Sequence, residues 1–215
     1  MKSRLAVAAA LFVVMFGSGA VGADPPRKQL FNGKDLTGWT HVSKGSFSVE
    51  DGALKTEGGM GLLWYTGEKF GDAVIRVVYK GSAANTNSGV FIRIPEKPHD
   101  AWFPVHRGYE VQINDAADEF HRTGAIYSMS SAEEFSPSSS GWNTMEIRLE
   151  GQKTVISVNG KVVNTFEGSQ PVPERKKYYE PRRGPRPDSG YIGLQNHDEE
   201  SVVWFREISV TPLAK

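Results

Sequence analysis

The chain has 215 residues, with 25 Lys and Arg against 25 Asp and Glu, so no global field steers it toward nucleic acid or an acidic surface. It has no cysteine, which excludes disulfide staples and lipid attachment at a mature cysteine. Its 23 Gly and 12 Pro favour short strands and tight turns, and its length suits one domain with a full core.

In chain order, Lys2 and Arg4 precede an apolar run from Leu5 to Phe16, and Val21-Gly22-Ala23 forms a small-x-small end. That order reads as a secretory signal peptide, and the apolar run is too short to span a bilayer. The expectation is a signal peptide at 1–23 and one mature domain at 24–215. It would be periplasmic or secreted, with no transmembrane anchor after cleavage.

Beyond that point period-two alternation dominates, and it predicts about ten or eleven strands. Phe47 to Glu50 leads into Asp51-Gly52 and continues at Ala53, a two-residue hairpin pattern. Ala73 to Tyr79 reads as a strand buried on both faces or nearly so. Val90 to Ile94 ends at Pro95, and Val155 to Val158 meets Asn159-Gly160, the strongest hairpin signal present. The expected fold class is all-β, a sandwich or jelly roll of antiparallel sheets. Three stretches resist the pattern and read as long loops: 95–108, 116–141 and the basic, Pro-rich 174–186.

Alternation also sorts faces. In Tyr109 to Asp115, Glu110, Gln112 and Asn114 oppose Tyr109, Val111 and Ile113. In Gly190 to His197, Gln195 and His197 oppose Ile192 and Leu194. Arg93 falls on the face opposite Val90 and Ile92. A Glu, a His, an Arg and two amides on polar strand faces can bind a hydroxylated ligand and move protons, provided the sheets bring them together. A solvated sheet face explains each strip equally well when taken singly. No phosphate-binding Gly loop, nucleophile elbow or His-Glu-x-x-His pattern is present.

Several segments carry a family likeness. Leu30-Phe31-Asn32-Gly33-Lys34-Asp35-Leu36-Thr37-Gly38-Trp39 resembles the opening motif of the 3-keto-disaccharide hydrolase family. Asn87 to Arg93, Tyr109 to Asp115, Thr123 to Tyr127, Trp142-Asn143, Val158 to Gly160 and Gly193 to His197 resemble later motifs in the same order. The resemblance implies a concanavalin A-like lectin or glucanase jelly roll of two curved antiparallel sheets. It also implies cleavage of glycosides oxidised at C3 of a sugar ring, by hydrolysis or by elimination followed by hydration.

Carried onto this chain, the resemblance implies a site of Arg93, Glu110, Gln112, Asp115, Gln195 and His197. Glu110 or His197 would serve as base or acid, and Arg93 with the amides would hold the ketone and hydroxyls. A divalent metal on Glu110, Asp115 and His197 is the alternative way to polarise the ketone. Trp64, Trp102 and Tyr127 are candidate platforms for a sugar ring, Trp102 foremost because it lies in an irregular segment. The expected partner is a carbohydrate substrate rather than nucleic acid. The other readings are a noncatalytic lectin-like carbohydrate-binding domain and a structural domain of the cell envelope.

Overall fold

The computed structural model describes residues 26–138 and 140–214; the expected signal segment lies outside the described residues. The strands in order are β1 (Lys28–Gln29), β2 (Trp39–Ser43), β3 (Ser46–Glu50), β4 (Ala53–Glu57), β5 (Gly61–Tyr65), β6 (Ala73–Gly81) and β7 (Ser88–Ile94). A short helix, α1 (Trp102–Arg107), precedes β8 (Tyr109–Ile113), β9 (Asn143–Glu150), β10 (Lys153–Val158), β11 (Lys161–Glu167), β12 (Tyr191–Asn196) and β13 (Val203–Pro212).

Both hairpin turns read from the sequence form. Asp51-Gly52 and Asn159-Gly160 have positive φ at both central residues, the backbone that matches the right-handed twist of the flanking strands. Glu50 then faces Ala53, and Val158 faces Lys161. The strands assemble into two antiparallel sheets. The larger runs β11-β10-β9-β6-β13-β4-β3, with β1 on β13; the smaller runs β2-β5-β12-β7-β8. The inward residues meet in one core. Ile75, Val77, Ile147 and Phe205 come from the larger sheet, and Leu63, Val90, Ile92, Val111 and Leu194 from the smaller. Each such side chain contributes ~1.5–3 kcal/mol by leaving water, which lets the domain dispense with disulfides.

Two expectations change and one is sharpened. β1 and β2 are additional strands: β1 is only two residues long, and Thr40 and His41 blur the alternation of β2. β6 falls just short of burial on both faces, because half-buried Arg76 reaches Glu146 and Glu207 on the outer surface at 3.2 and 3.4 Å. The stretch 95–108 holds a helix. Asp100 Oδ1 accepts hydrogen bonds from the Trp102 and Phe103 backbone N–H groups at 2.9 and 2.7 Å and so starts a turn too short for periodicity to reveal.

That helix decides where a ligand can sit. Ala101 and Val105 pack on Leu62, Trp64, Phe91 and Ile94, covering part of the outer face of the smaller sheet. The part carrying the polar residues of β8 and β12 is left as a cleft floor.

Candidate active site

Glu110 and Gln112 of β8 point outward because Tyr109, Val111 and Ile113 enter the core. Gln195 joins them from β12 for the same reason, with Leu194 inward. The chain across 123–127 covers the free edge of β8. Gly124 N–H donates to Gln112 O at 3.0 Å, and Tyr127 N–H donates to Glu110 O at 3.0 Å. This pairing brings Tyr127 beside Glu110. With Met60, Asn87, Trp102, Val105, Tyr179 and His197, these residues enclose a cleft of about 170 Å³.

Glu110 is buried, 5% exposed as a residue. It lies across Gly89 of the neighbouring strand, where an added Cβ would come within 2.6 Å of Oε1. Burial pushes its pKa up to about 8, against the Gln195 amide, which favours the charged form. Tyr127 is pushed up to about 12, by burial first and then by Glu110. Its phenol therefore stays a neutral hydrogen-bond donor. Gln112 Oε1 and Gln195 Oε1 are buried without a protein partner. Buried amide oxygens normally find a donor, so these two suit a ligand rich in hydroxyls.

A directed chain of hydrogen bonds crosses the floor. Gln112 Nε2 donates to Asn87 Oδ1 at 2.6 Å, and Asn87 Nδ2 lies 3.0 Å from His197 Nε2. His197 Nδ1 lies 2.7 Å from Asp198 Oδ2. With the carboxylate accepting, the imidazole carries its proton on Nδ1 and presents Nε2 as an acceptor. Burial pulls Asp198 upward, but hydrogen bonds from His197 and Ser201 hold its pKa below the ordinary value. Asp198 Oδ1 also accepts the backbone N–H groups of Glu200 and Ser201, which fixes the turn after β12.

Of the residues expected from the sequence, the cleft gathers Glu110, Gln112, Gln195, His197, Trp102 and Tyr127. Arg93 is elsewhere. β7 has one residue more than β12 between the Tyr191–Ile94 and Gly193–Phe91 pairs, and Arg93 takes φ 53° there. The bulge turns Arg93 away from the face of Phe91. Its guanidinium is buried, donates to Pro187 O at 2.9 Å and to Gly151 O, and has Asp188 at 3.9 Å. Arg93 is thus a clamp at the end of the sandwich rather than a ligand for the ketone.

Asp115 is also outside the cleft. It accepts Thr123 Oγ1 at 2.5 Å, while its backbone N–H donates to Ala84 O at 2.9 Å. The metal set Glu110, Asp115 and His197 therefore does not converge, and no group of three His, Cys, Asp or Glu that could hold a metal occurs among the described residues. Trp64 is core, buried edge-on against Tyr191.

Asn87, Met60, Val105, Tyr179 and Asp198 belong to the site although no alternation marked them. Asn87 and Asp198 sit just outside strands, and Tyr179 comes from the basic loop. Asn87 opens one of the motifs in the family likeness, but alternation gave it no role.

The sandwich is shared with solved structures. One from Parabacteroides distasonis ATCC 8503, named as a candidate glycosyl hydrolase, is 24% identical over 87% of this chain and 100% of that one, with a TM-score of 0.68. A Bacillus subtilis protein of unknown function with a galectin-like fold is 14% identical over 90% of this chain and 98% of that one, TM-score 0.65. The carbohydrate-binding module CBM66 of Bacillus subtilis is 13% identical over 81% and 95%, TM-score 0.56. These likenesses identify a concanavalin A-like, galectin-like fold. Among curated proteins, none matches the chain. The model of the 3-keto-alpha-glucoside-1,2-lyase-like domain matches residues 26–211, nearly all of the described chain, and the protein therefore belongs to that family.

Proposed function

We propose that the protein cleaves the glycosidic bond of 3-keto-glycosides, with Glu110 as the base. The observation that carries this reading is the Glu110 carboxyl at the floor of a cleft, its pKa at about 8, beside two amide oxygens without partners. A ketone at C3 acidifies the proton on C2. A carboxylate raised to about 8 is a far stronger base than an ordinary one and still ionises near neutrality.

In the first step the C2–H bond breaks, Glu110 takes the proton, and the electron pair moves onto the C3 oxygen. Neutral donors suit that developing oxyanion, and the side-chain N–H groups of Gln195 and Asn87 and the Tyr127 hydroxyl belong to the same cleft. The pair then returns, C1=C2 forms, and the C1–O bond breaks. Protonated Glu110 hands its proton to the departing oxygen. Water then adds at C1 and gives its proton to His197 Nε2, while the C1=C2 pair moves onto the C3 oxygen; as that enolate collapses, C2 takes the proton back from the imidazolium, which completes hydrolysis and restores both groups, with Asp198 holding the ring. Trp102 stacks on a sugar face at the cleft mouth.

The likeness to a carbohydrate-binding module favours a second reading, a domain that binds sugar without cleaving it. The two separate cleanly. Purified protein incubated with a 3-keto-disaccharide should yield monosaccharide-mass products, and Glu110→Gln should abolish them, by ~10²–10⁴-fold, while keeping the fold. Turnover unchanged in Glu110→Gln removes the base assignment. No product together with affinity for unmodified glycan favours the binding module.

A further inference from the structure

α1 has a second flank. Trp102 and Val105 line the cleft, whereas His106 and Arg107 line a separate hollow of about 240 Å³ with Arg182, Arg183 and Arg186. Three prolines complete its wall, and no carboxylate lines it. Arg186 is 8% exposed and donates to the carbonyls of Gly108, Gly184 and Arg182 at 2.9, 2.7 and 2.6 Å. Those partners, and the Tyr109 ring 4.9 Å from its Cζ, are neutral, so no anion balances its charge. Arg183 has Glu180 at 3.0 Å; among the described residues, Arg107, Arg182 and Arg186 pair with no carboxylate.

Asp188, the nearest acid along the chain, is engaged by Arg93 and Gln152. His106 Nδ1 is buried with no partner. The loop 174–186 supplies six basic residues against two acidic ones in a chain of zero net charge. Cations so concentrated repel one another, and an anion among them relieves the repulsion.

We infer that this hollow binds the anionic group of an acidic saccharide, a sulfate ester or a uronate carboxylate. Guanidinium groups match either oxyanion through paired N–H donors. A saccharide fits better than another polyanion because the hollow shares α1 and the 174–186 loop with the cleft, to which that loop contributes Tyr179. The saccharide part rests on the carbohydrate reading of the cleft; the preference for negative charge does not.

The test is calorimetric titration of the full chain with dextran sulfate oligosaccharide, oligogalacturonate, neutral dextran, inorganic sulfate and a DNA oligonucleotide. At least one acidic saccharide should bind, weakening as salt rises, and its tightness relative to the other assigns sulfate or carboxylate. The double variant Arg107→Ala, Arg182→Ala should bind it roughly tenfold or more weakly at an unchanged melting temperature, since both side chains are exposed. Equal affinity for neutral dextran, binding undiminished in the double variant, or no binding of either acidic saccharide overturns the inference. Inorganic sulfate or DNA binding as tightly as the saccharides removes the saccharide assignment. Because none of these probes is a 3-keto-glycoside and the readout is binding, the outcome stands apart from the fate of the lyase reading.

Discussion

Gly89 and Asp198 show how single residues set the chemistry without touching a substrate. A methyl group at Gly89 would occupy the space of the Glu110 carboxyl and push it out of position toward the cleft. Gly89→Ala should therefore lower kcat by ~10²-fold, the scale of an ångström misplacement of a base, with a much smaller change in melting temperature. Asp198→Asn should leave binding nearly intact while removing the partner that holds the His197 proton on Nδ1. In pre-steady-state assays the elimination step should persist and the hydration step should slow by ~10²-fold, so that enone accumulates. Residues of this kind are hard to read from sequence, since a glycine on a strand and an aspartate in a turn have many ordinary uses.

At the scale of elements, α1 and the β7 bulge decide what the site contains. Trp102 stands 45% exposed on α1, so Trp102→Ala should spare the fold. Losing one stacking platform, worth ~1 kcal/mol, should raise KM roughly fivefold with kcat little altered. The bulge makes the opposite prediction for Arg93. Arg93→Ala should destabilise the domain by ~1–3 kcal/mol, because the carbonyls of Pro187 and Gly151 lose their donor, yet leave kcat near the parent value. Denaturant unfolding alongside kinetics checks both. Strict alternation puts Arg93 on the face opposite Val90 and Ile92, and the family resemblance implies a shared site with Glu110. The extra residue that removes it appears only when β7 is laid against β12, where Gly190 packs on the Arg93 backbone.

For the whole molecule, the buried Glu110 makes stability depend on pH. Its folded pKa of about 8 lies above the ordinary 4.5, so the folded state holds a proton that the unfolded chain releases. Stability from this group is full below pH 4.5 and falls as pH rises toward 8, at up to ~1.4 kcal/mol per pH unit. Glu110→Gln should flatten that decline and melt higher than the parent near pH 8, although it is inactive. Thermal unfolding across this range would show it, and coincident curves would mean that Glu110 is not buried in this way.

Local patterns in the chain are enough for the all-β class, the two hairpin turns, the family, and the outward direction of Glu110, Gln112 and Gln195. Those features follow from period-two alternation, turn dipeptides and motif order, which act over a few residues. The tertiary structure decided which polar residues meet. Asn87, Met60, Val105 and Tyr179 join the cleft from segments far apart in sequence, while Arg93 and Asp115 leave it through a bulge and a Thr123 hydrogen bond. The physical reason is that a strand's face is a local property, whereas a cleft is made by pairing register and by the loops and helix that pack over the sheet.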